Sequence, residues 1–337
     1  MYQNIYIASP ESNQIEVWNL NNNGIANLIQ IVKIHGKIQP LCILKEKNIL
    51  YAGLRSNNCI ITYKISKTGI LKTICNFSIP YSINYISIDI NRQKMICSSY
   101  HSGSIIIISL NALGYPIKID QQINYLAGCH CSIMDLDQKI LFTSALKQNK
   151  IHLFIFYDKT IVSNPNQKYV HTEYNSGPRH IIFHPNNINL YSINELNGTI
   201  NTWIINYNSN TIKNLQNINL MPISFKGTPW ASEIRILPNG QYLYASDRTT
   251  SIISIFKINI KNGILSRIAQ IQTELQPRSF DIDEFGKYLV IAGQKSNFIS
   301  IYQINQVTGL LKFIARYPVG NGPLWVLINN NTKINAT

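Results

Sequence analysis

The sequence has few charged side chains and no long apolar run. Charged residues make up 14% of the 337 residues, against about 25% in an average soluble protein. No stretch of about 18 consecutive apolar residues occurs, so we expect no membrane-spanning helix. The segment from Met1 to Tyr6 contains no basic residue followed by an apolar core, so we expect no signal peptide. Both absences predict a cytoplasmic protein without a membrane partner.

Cysteine is scarce and lacks the paired spacing of a zinc site. Cys129 and Cys131 flank His130, and in an extended strand the two thiols would share one face. A metal site there is one alternative, but small buried thiols are favoured. The six cysteines are Cys42, Cys59, Cys75, Cys97, Cys129 and Cys131. We therefore expect free thiols in a reducing compartment, with no metal and no cofactor.

Acidic residues are also scarce, but the basic residues form no block. The chain has 30 Lys and Arg against 16 Asp and Glu, a formal net charge of +14. A basic surface suits nucleic acid, acidic lipid or a phosphorylated ligand. Here the bases are spread along the chain, one or two per loop, and the same spread follows from a compositional drift toward lysine. We therefore expect no nucleic-acid partner.

One pattern of short strands and turns recurs along the chain. Its clearest copy opens at Gly177–Arg179, turns at Pro185–Asn187, and continues through a tyrosine-containing strand at Leu190–Ile193. Asn194–Gly198 follows as a loop, and a third strand begins at Thr199. β-Branched and aromatic residues fill these segments, and Gly, Asn and Pro separate them, as in consecutive short strands.

Seven copies of the opening are present. Its second residue stands at positions 40, 83, 129, 178, 229, 277 and 323, in steps of 43 to 51 residues. That period is typical of four-stranded propeller blades. The sequence therefore predicts an all-β protein, a seven-bladed β-propeller that forms a single domain over residues 1–337.

The two ends of the chain predict how the ring closes. Only one strand, from Trp325 to Ile328, follows the last opening. The start of the chain supplies three more, at Ile5 to Ala8, Ile15 to Asn19 and Leu28 to Ile34. One blade built from both termini would close the ring and remove the exposed edges of an open array.

Unusual side chains collect on one predicted face of this disc. In an up-and-down blade, the loop that enters the innermost strand and the loop between the second and third strands lie on the same face. Basic, acidic and imidazole groups occur in these loops, whereas the opposite face carries ordinary turn formers. The residues expected to converge on the axis are His130, Lys147, Arg179, Glu195, Arg248 and Arg278. Bases outnumber acids among them, which suits an anionic ligand.

Each of these residues also has a purely structural interpretation. Arg179 and Arg278 could bind carbonyls or pair with carboxylates between blades, and Glu195 could simply balance Arg179. His130 could be a hydrogen-bonded histidine of an inner strand, and Lys147 a solvated loop charge. Their convergence on one face favours a site, because axial positions on a loop-bearing face commonly bind ligands.

Six short segments carry a family resemblance. They are Tyr6–Ser12, Ala145–Gln148, Gly177–His180, Asn194–Leu196, Asp247–Thr249 and Ala292–Ser296. In combination they resemble bacterial 6-phosphogluconolactonases of the propeller type, from the first strand to Trp325. The chain departs from that pattern on the blade surfaces and in early openings such as Tyr81–Asn84.

The resemblance implies a function and a set of site residues. The same fold family includes fungal muconate-lactonizing enzymes, whose proposed site comprises a histidine, two arginines and a glutamate. By motif these resemble His130, Arg179, Glu195 and, least closely, Arg248. The implied reaction is the hydrolysis of 6-phospho-D-glucono-1,5-lactone to 6-phospho-D-gluconate, a carboxylic ester hydrolysis in the oxidative pentose phosphate pathway.

The residues then suggest a division of labour. No Gly-x-Ser-x-Gly elbow is present, which argues against a serine nucleophile. Either Glu195 or His130 is expected to activate water, and Arg179 to stabilise the oxyanion. The phosphate is expected to lie against basic groups that suit its dianion, namely Arg248, Arg278 and Lys147.

Two other functions stay open from the sequence. A lactonase or lactonizing enzyme for an unphosphorylated acid would have the same fold without needing these extra bases. A non-catalytic scaffold would bind protein partners through its blade rims, since fold does not fix function. We expect a small-molecule partner and a monomer or weak oligomer.

Overall fold

A computed structural model describes residues 3–158 and 160–330, which fold into seven antiparallel sheets. Six sheets have four strands, and one has five. The innermost strand of each sheet contacts the innermost strands of the sheets before and after it, and the series returns to its start. The seven-bladed β-propeller predicted from the repeat is therefore confirmed.

Each blade runs from an inner strand at the axis to an outer strand at the rim. In this order, blade 1 contains β29 (Trp325–Asn330), β1 (Gln3–Ser9), β2 (Gln14–Leu20) and β3 (Ala26–Lys33). Blade 2 contains β4 (Ile38–Leu44), β5 (Ile49–Leu54), β6 (Cys59–Ile65) and β7 (Leu71–Ser78). Blade 3 contains β8 (Tyr85–Asp89), β9 (Lys94–Ser99), β10 (Ser104–Leu110) and β11 (Pro116–Ile123).

The remaining four blades follow the same order. Blade 4 contains β12 (Cys129–Met134), β13 (Ile140–Ala145) and β14 (Lys150–Tyr157), and its outer position is shared by two short strands that both pair with β14, namely β15 (Thr160–Ser163) and β16 (Tyr169–His171). Blade 5 contains β17 (Pro178–Phe183), β18 (Asn189–Asn194), β19 (Thr199–Asn206) and β20 (Thr211–Asn219). Blade 6 contains β21 (Ala231–Ile236), β22 (Tyr242–Asp247), β23 (Ile252–Ile258) and β24 (Leu265–Gln272). Blade 7 contains β25 (Pro277–Ile282), β26 (Tyr288–Gly293), β27 (Phe298–Ile304) and β28 (Leu311–Pro318).

Blade 1 closes the ring in the way that the termini predict. Strand β29 pairs antiparallel with β1, from Gln3 opposite Asn330 to Ala8 opposite Trp325. The last strand of the chain is thus the inner strand of the blade whose other strands come first. This pairing leaves no inner edge open.

The hydrophobic core lies between neighbouring blades. The middle strands are buried on both faces, as in β1, whereas outer strands such as β7 alternate between exposed and half-buried residues. Isoleucine and other β-branched residues suit these flat faces, which pack blade against blade. In the described residues, helical structure is confined to two 3₁₀ turns, Lys45–Lys47 and Leu146–Gln148. Within the described residues, no helix has the length and apolar character needed to cross a membrane.

The second strand of several blades is tied to the next blade by a tyrosine. The hydroxyl of Tyr191 donates to the carbonyl of Gly263 at 2.8 Å, and that of Tyr244 donates to Gly309 at 2.9 Å. Tyr6 and Tyr51 make the corresponding bonds to Gly69 and Gly114. Each acceptor glycine lies in the hairpin between the two outer strands of the neighbouring blade, where its φ is positive. The tyrosine pattern in the repeat therefore has a structural cause.

The predicted common face of Cys129 and Cys131 is wrong. Cys129 packs with Ile107 of blade 3, whereas Cys131 packs with Ile181 of blade 5. The strict alternation of an extended strand fails here because the register of β12 against β13 shifts between the two cysteines. The two thiols therefore lie in different blade interfaces.

Candidate active site

Three of the predicted site residues occupy the same special backbone position. The register of the inner strand shifts at Cys129/Cys131, Pro178/His180 and Pro277/Ser279. His130, Arg179 and Arg278 are the extra residues at these shifts. A β-bulge of this kind re-aims its side chain, which would otherwise alternate into a blade interface. Repetition of the bulge in three blades directs three chemically active side chains to the axis.

His130 and Arg278 line a cavity of about 220 Å³ at the axis, on the face predicted from the loops, and Arg179 lies behind its wall. Its walls come from blades 2 to 7, and the lining residues are Gln39, Arg55, Ser82, Ile83, Asn84, Tyr100, His101, His130, Glu195, Trp230, Arg248 and Arg278. Ligand pockets for drug-sized molecules measure about 300–1,000 Å³, so this cavity suits a smaller ligand. The lining is mostly polar and basic.

Glu195 holds two buried arginines on one side of the cavity. Its Oε2 lies 2.9 Å from Arg179 Nε and 2.9 Å from Arg248 Nη2. Both arginines are only 2% exposed. A buried guanidinium needs a counter-charge and acceptors, because it loses the hydration of the exposed state. Glu195 supplies the shared counter-charge for the pair.

Backbone carbonyls complete the binding of these two arginines. Arg179 Nη1 donates to the carbonyl of Ser232 at 2.5 Å. Arg248 donates through Nε to Trp230 at 3.1 Å and through Nη2 to Ala231 at 3.2 Å. The Arg248 guanidinium also stacks on the Trp230 ring, 3.9 Å from its centre. The pair is therefore rigidly placed before any ligand enters.

The charge of Glu195 is fixed by this arrangement. Burial opposes its ionisation, but Arg179, Arg248 and Arg278 outweigh burial and hold the pKa of the carboxyl below its usual value. Its Oε1 also accepts a bond from Trp230 Nε1 at 3.3 Å. Glu195 is thus an anion at neutral pH with both oxygens occupied, which weakens it as a proton acceptor.

His130 is a neutral imidazole among cations. Its side chain is almost completely buried, and its Nδ1 has no hydrogen-bond partner among the described residues. Burial, followed by the charge of Arg179, places the pKa of His130 well below its usual value. Its ring packs edge-on against His180, with 5.0 Å between the ring centres. His130 therefore has its proton-accepting form at neutral pH.

A buried ionic network lies beneath the cavity. His180 Nδ1 donates to Glu233 Oε1 at 2.8 Å, and Arg235 Nη1 bonds the same oxygen at 2.6 Å. Arg235 Nε reaches Asp281 at 3.1 Å. These residues come from the inner strands of blades 5, 6 and 7, so the network joins three blades at the floor of the site.

Arg278 differs from Arg179 and Arg248 in the partners of its guanidinium. Within residues 3–158 and 160–330, its guanidinium makes no hydrogen bond or salt bridge to another residue, although it lines the cavity. Burial, followed by the charge of Arg179, lowers the pKa of Arg278 to about 10, which still leaves the group cationic at neutral pH. An unpaired cation thus faces the cavity.

A second basic group lies across the cavity, on blades 2 and 3. Arg55 Nη2 donates to His101 Nε2 at 2.7 Å. Because arginine cannot accept a hydrogen bond, this nitrogen of His101 is unprotonated. Lys147 lies at the rim, with its Nζ 5.1 Å from the centre of the Tyr100 ring.

The structure gathers the predicted residues around one axis but gives them different positions. His130, Glu195, Arg248 and Arg278 line the cavity. Arg179 lies behind Glu195, and Lys147 lies outside the lining. The sequence pattern did not distinguish Arg55, His101 or Trp230 from the other loop residues. Their shared face was visible in the repeat, but their direction toward the axis was not.

Among the described residues, the site shows no set of metal ligands. Within the described part of the chain, no three or more His, Cys, Asp or Glu side chains come together in a way that could hold a metal ion. The arrangement instead offers fixed cations, one anion and a neutral imidazole, which are the components of acid–base and electrostatic catalysis.

Comparison with known proteins gives a consistent match over the whole chain. The model of the family described as "Lactonase, 7-bladed beta-propeller" matches residues 4–328. A 6-phosphogluconolactonase of Buchnera aphidicola subsp. Acyrthosiphon pisum is 45% identical over 331 residues, which cover 98% of this chain and 99% of that protein. A 6-phosphogluconolactonase of Buchnera aphidicola subsp. Schizaphis graminum is 42% identical over 328 residues, covering 97% and 98% respectively.

Solved structures agree on the fold. The periplasmic gluconolactonase PpgL of Pseudomonas aeruginosa superposes with a TM-score of 0.91 and 17% identity, over 98% of this chain and 100% of that one. A protein from Lactobacillus plantarum gives a TM-score of 0.89 and 19% identity, over 98% and 100% of the two chains. At this level of identity the likeness concerns the fold alone.

Proposed function

The chain belongs to the lactonase family of seven-bladed β-propellers, and we propose that it is a 6-phosphogluconolactonase. The reaction is the hydrolysis of 6-phospho-D-glucono-1,5-lactone to 6-phospho-D-gluconate. The observation that carries the proposal is the match of 45% identity, over 98% of the chain, to a protein of that name. This reaction is the second step of the oxidative pentose phosphate pathway.

The charge of the axial cavity supports a phosphorylated substrate. Arg55, Arg248 and Arg278 line it, and the carboxylate of Glu195 is already shared by two arginines. The cavity therefore has an excess of positive charge before a ligand binds. A sugar phosphate brings a dianion that offsets this excess.

We assign the proton transfer to His130. Water attacks the lactone carbonyl carbon C1, and the His130 imidazole takes the proton from that water. When the bond from C1 to the ring oxygen breaks, the resulting imidazolium returns the proton to that oxygen. His130 suits this role better than Glu195 does, because it is neutral at neutral pH and Glu195 has both oxygens engaged.

Substrate charge strengthens this base. In the free protein, surrounding arginines lower the pKa of His130. A bound phosphate dianion neutralises part of that positive charge, so it raises the pKa of the imidazole toward the pH of the reaction. Binding and proton transfer are thereby linked.

Arg248 is the group that we assign to the oxyanion. Its guanidinium lines the cavity and is held by Glu195 and by two backbone carbonyls. A cation that needs no rearrangement stabilises the tetrahedral intermediate more than a mobile one does. Arg179, behind Glu195, is assigned a positioning role, and Arg278 is assigned to the substrate phosphate.

The setting of the reaction is part of the same proposal. We place it in the cytoplasm, with the protein acting as a monomer or weak oligomer on a free small-molecule lactone and without a nucleic-acid partner. All six cysteines are free thiols, which fits a reducing compartment.

The direct test is the hydrolysis of freshly generated 6-phosphogluconolactone by purified protein in the presence of a metal chelator. Because the lactone also opens spontaneously, only the rate above a protein-free blank counts. We expect a large acceleration that the chelator leaves intact. A folded protein that gives only the blank rate would contradict the proposal and favour another lactone or a scaffold role.

A further inference from the structure

One arginine of the cavity lining has no side-chain partner among the described residues. Arg278 lines the cavity, is partly buried, and makes no side-chain hydrogen bond or salt bridge within the described residues. By contrast, Arg179 and Arg248 each have a carboxylate and backbone acceptors. A half-buried guanidinium without an acceptor in the protein keeps its N–H donors available to a ligand. Arg278 is therefore available to donate to an acceptor that enters the cavity.

Two further basic groups face the same space without a carboxylate partner. Arg55 and His101 line the cavity and bond each other at 2.7 Å, and Arg55 forms no salt bridge within the described residues. Lys147 is close enough that, after burial and Arg55, its charge also lowers the pKa of His101. Neighbouring cations repel each other unless an anion lies between them.

Arg55 and His101 lie apart from the ionic cluster of Glu195, Arg179 and Arg248. Arg55 is on blade 2 and His101 on blade 3, whereas Glu195 and Arg248 are on blades 5 and 6. In a ring of seven blades, blade 2 lies opposite the junction of blades 5 and 6. The single carboxylate of the lining therefore lies on one side of the cavity, and the lining from blades 2 and 3 contains the cation Arg55 and no carboxylate.

We propose that Arg278, Arg55 and His101 form the subsite for the substrate phosphate, a role that rests on the proposed function above. The phosphate on C6 is joined to the lactone ring by a short arm, so one cavity must bind a dianion and a carbonyl separately. Arg278 and Arg55 donate to the phosphate oxygens, for which the planar guanidinium fork is well suited. His101 supplies a third donor from its ring.

The first test separates binding of phosphate from chemistry. For Arg55→Gln and Arg278→Gln, we expect the KM for the phosphorylated lactone to rise by about tenfold or more, while kcat falls far less. Lys295→Gln is the matched control, because Lys295 is exposed in the equivalent loop of blade 7 and does not line the cavity. We expect wild-type constants from it. Arg278→Lys keeps the charge, and we expect it to recover part of the loss.

The second test does not depend on the reaction. Titration calorimetry with inorganic phosphate should give a binding constant that weakens about tenfold or more in Arg55→Gln and Arg278→Gln and is unchanged in Lys295→Gln. If the wild type failed to hydrolyse the lactone while this pattern held, the proposed function would fall and the anion subsite would stand. Equal KM and equal phosphate affinity in folded Arg55→Gln and wild-type protein would overturn the subsite.

Discussion

At the scale of single residues, the site depends on one carboxylate that serves two buried guanidinium groups. Glu195 lies 2.9 Å from both Arg179 and Arg248. Removing one member of a buried ionic group is costly, because the remaining charges are left without compensation. Glu195 therefore acts on both the stability and the geometry of the cavity.

Neutralising this carboxylate should weaken the fold and the activity together. We expect Glu195→Gln to lower the free energy of unfolding by about 2–4 kcal/mol, since two buried cations would face each other. We also expect kcat to fall more than the affinity for substrate, because Arg248 loses its fixed position. Denaturant unfolding and steady-state kinetics measure the two effects. The control is Glu46→Gln, which changes an exposed glutamate on the opposite face. Equal stability of the Glu195 and Glu46 variants would contradict the role of Glu195 as the shared counter-charge of Arg179 and Arg248.

The buried imidazole of His130 should make the stability of the protein depend on pH. Its pKa in the folded protein is lowered by burial and by Arg179, so the unfolded state binds the proton more readily. The neutral histidine therefore contributes full stability above its unfolded pKa of about 6.5, and this contribution is lost as the pH falls below that value. The slope is at most about 1.4 kcal/mol per pH unit for one group.

Denaturant unfolding between pH 7.5 and pH 5 tests this linkage. His130→Gln should flatten the decline in unfolding free energy below about pH 6.5. His171→Gln changes an exposed residue of β16 and should leave the slope as in the wild type. An identical slope in all three proteins would show that His130 is not held neutral by the fold.

At the scale of elements, hydrogen bonds from tyrosine hydroxyls to the next blade explain why tyrosine recurs in the second strand of the repeat. The hydroxyls of Tyr191 and Tyr244 reach carbonyls in hairpins of the next blade, 63 or more residues away along the chain in every such tie. Phe142 takes the corresponding third position of β13 in blade 4 and has no hydroxyl. The position thus accepts the same ring with or without the bond.

Removing one tie should therefore cost a hydrogen bond and little else. We expect Tyr191→Phe to lower the free energy of unfolding by about 0.5–2 kcal/mol, since the Gly263 carbonyl loses its donor. Activity should be unchanged, because these hairpins lie on the face opposite the cavity. A variant as stable as the wild type in urea would mean that water replaces the hydroxyl without loss.

At the scale of the whole molecule, closure through blade 1 joins the two ends of the chain. Strand β29 fills the inner position of that blade through its pairing with β1. Without β29, blade 1 would expose an unpaired edge toward the axis, and the inner strands of blades 2 and 7 would lose a neighbour.

Truncation measures the contribution of this closure. A chain that ends at Leu324 lacks β29, and we expect it to lose cooperative unfolding and cavity-dependent activity. A chain that ends at Asn330 keeps β29 and is the control, with wild-type unfolding expected. If the shorter chain unfolded in the same cooperative transition as the control, closure by β29 would be unimportant for the fold.

The fold was predictable from the sequence because its signal is repeated seven times. Each opening places a turn before an inner strand, and the steps between openings define the blades.

The site was predictable only in part. Alternation along β12 predicted a common face for Cys129 and Cys131, but the bulge at His130 reverses one of them. Likewise, the positions of Arg179 behind Glu195 and of Lys147 at the rim depend on contacts between different blades, which no local pattern encodes.

We propose that the axial cavity is a lactonase site in which His130 transfers the proton. The measurement that tests it most directly is kcat/KM of His130→Gln for 6-phosphogluconolactone, corrected for spontaneous opening, in a variant whose folding is verified by circular dichroism. We predict a loss of roughly 10²–10⁴-fold relative to the wild type. A folded variant with wild-type kcat/KM would show that His130 does not transfer the proton.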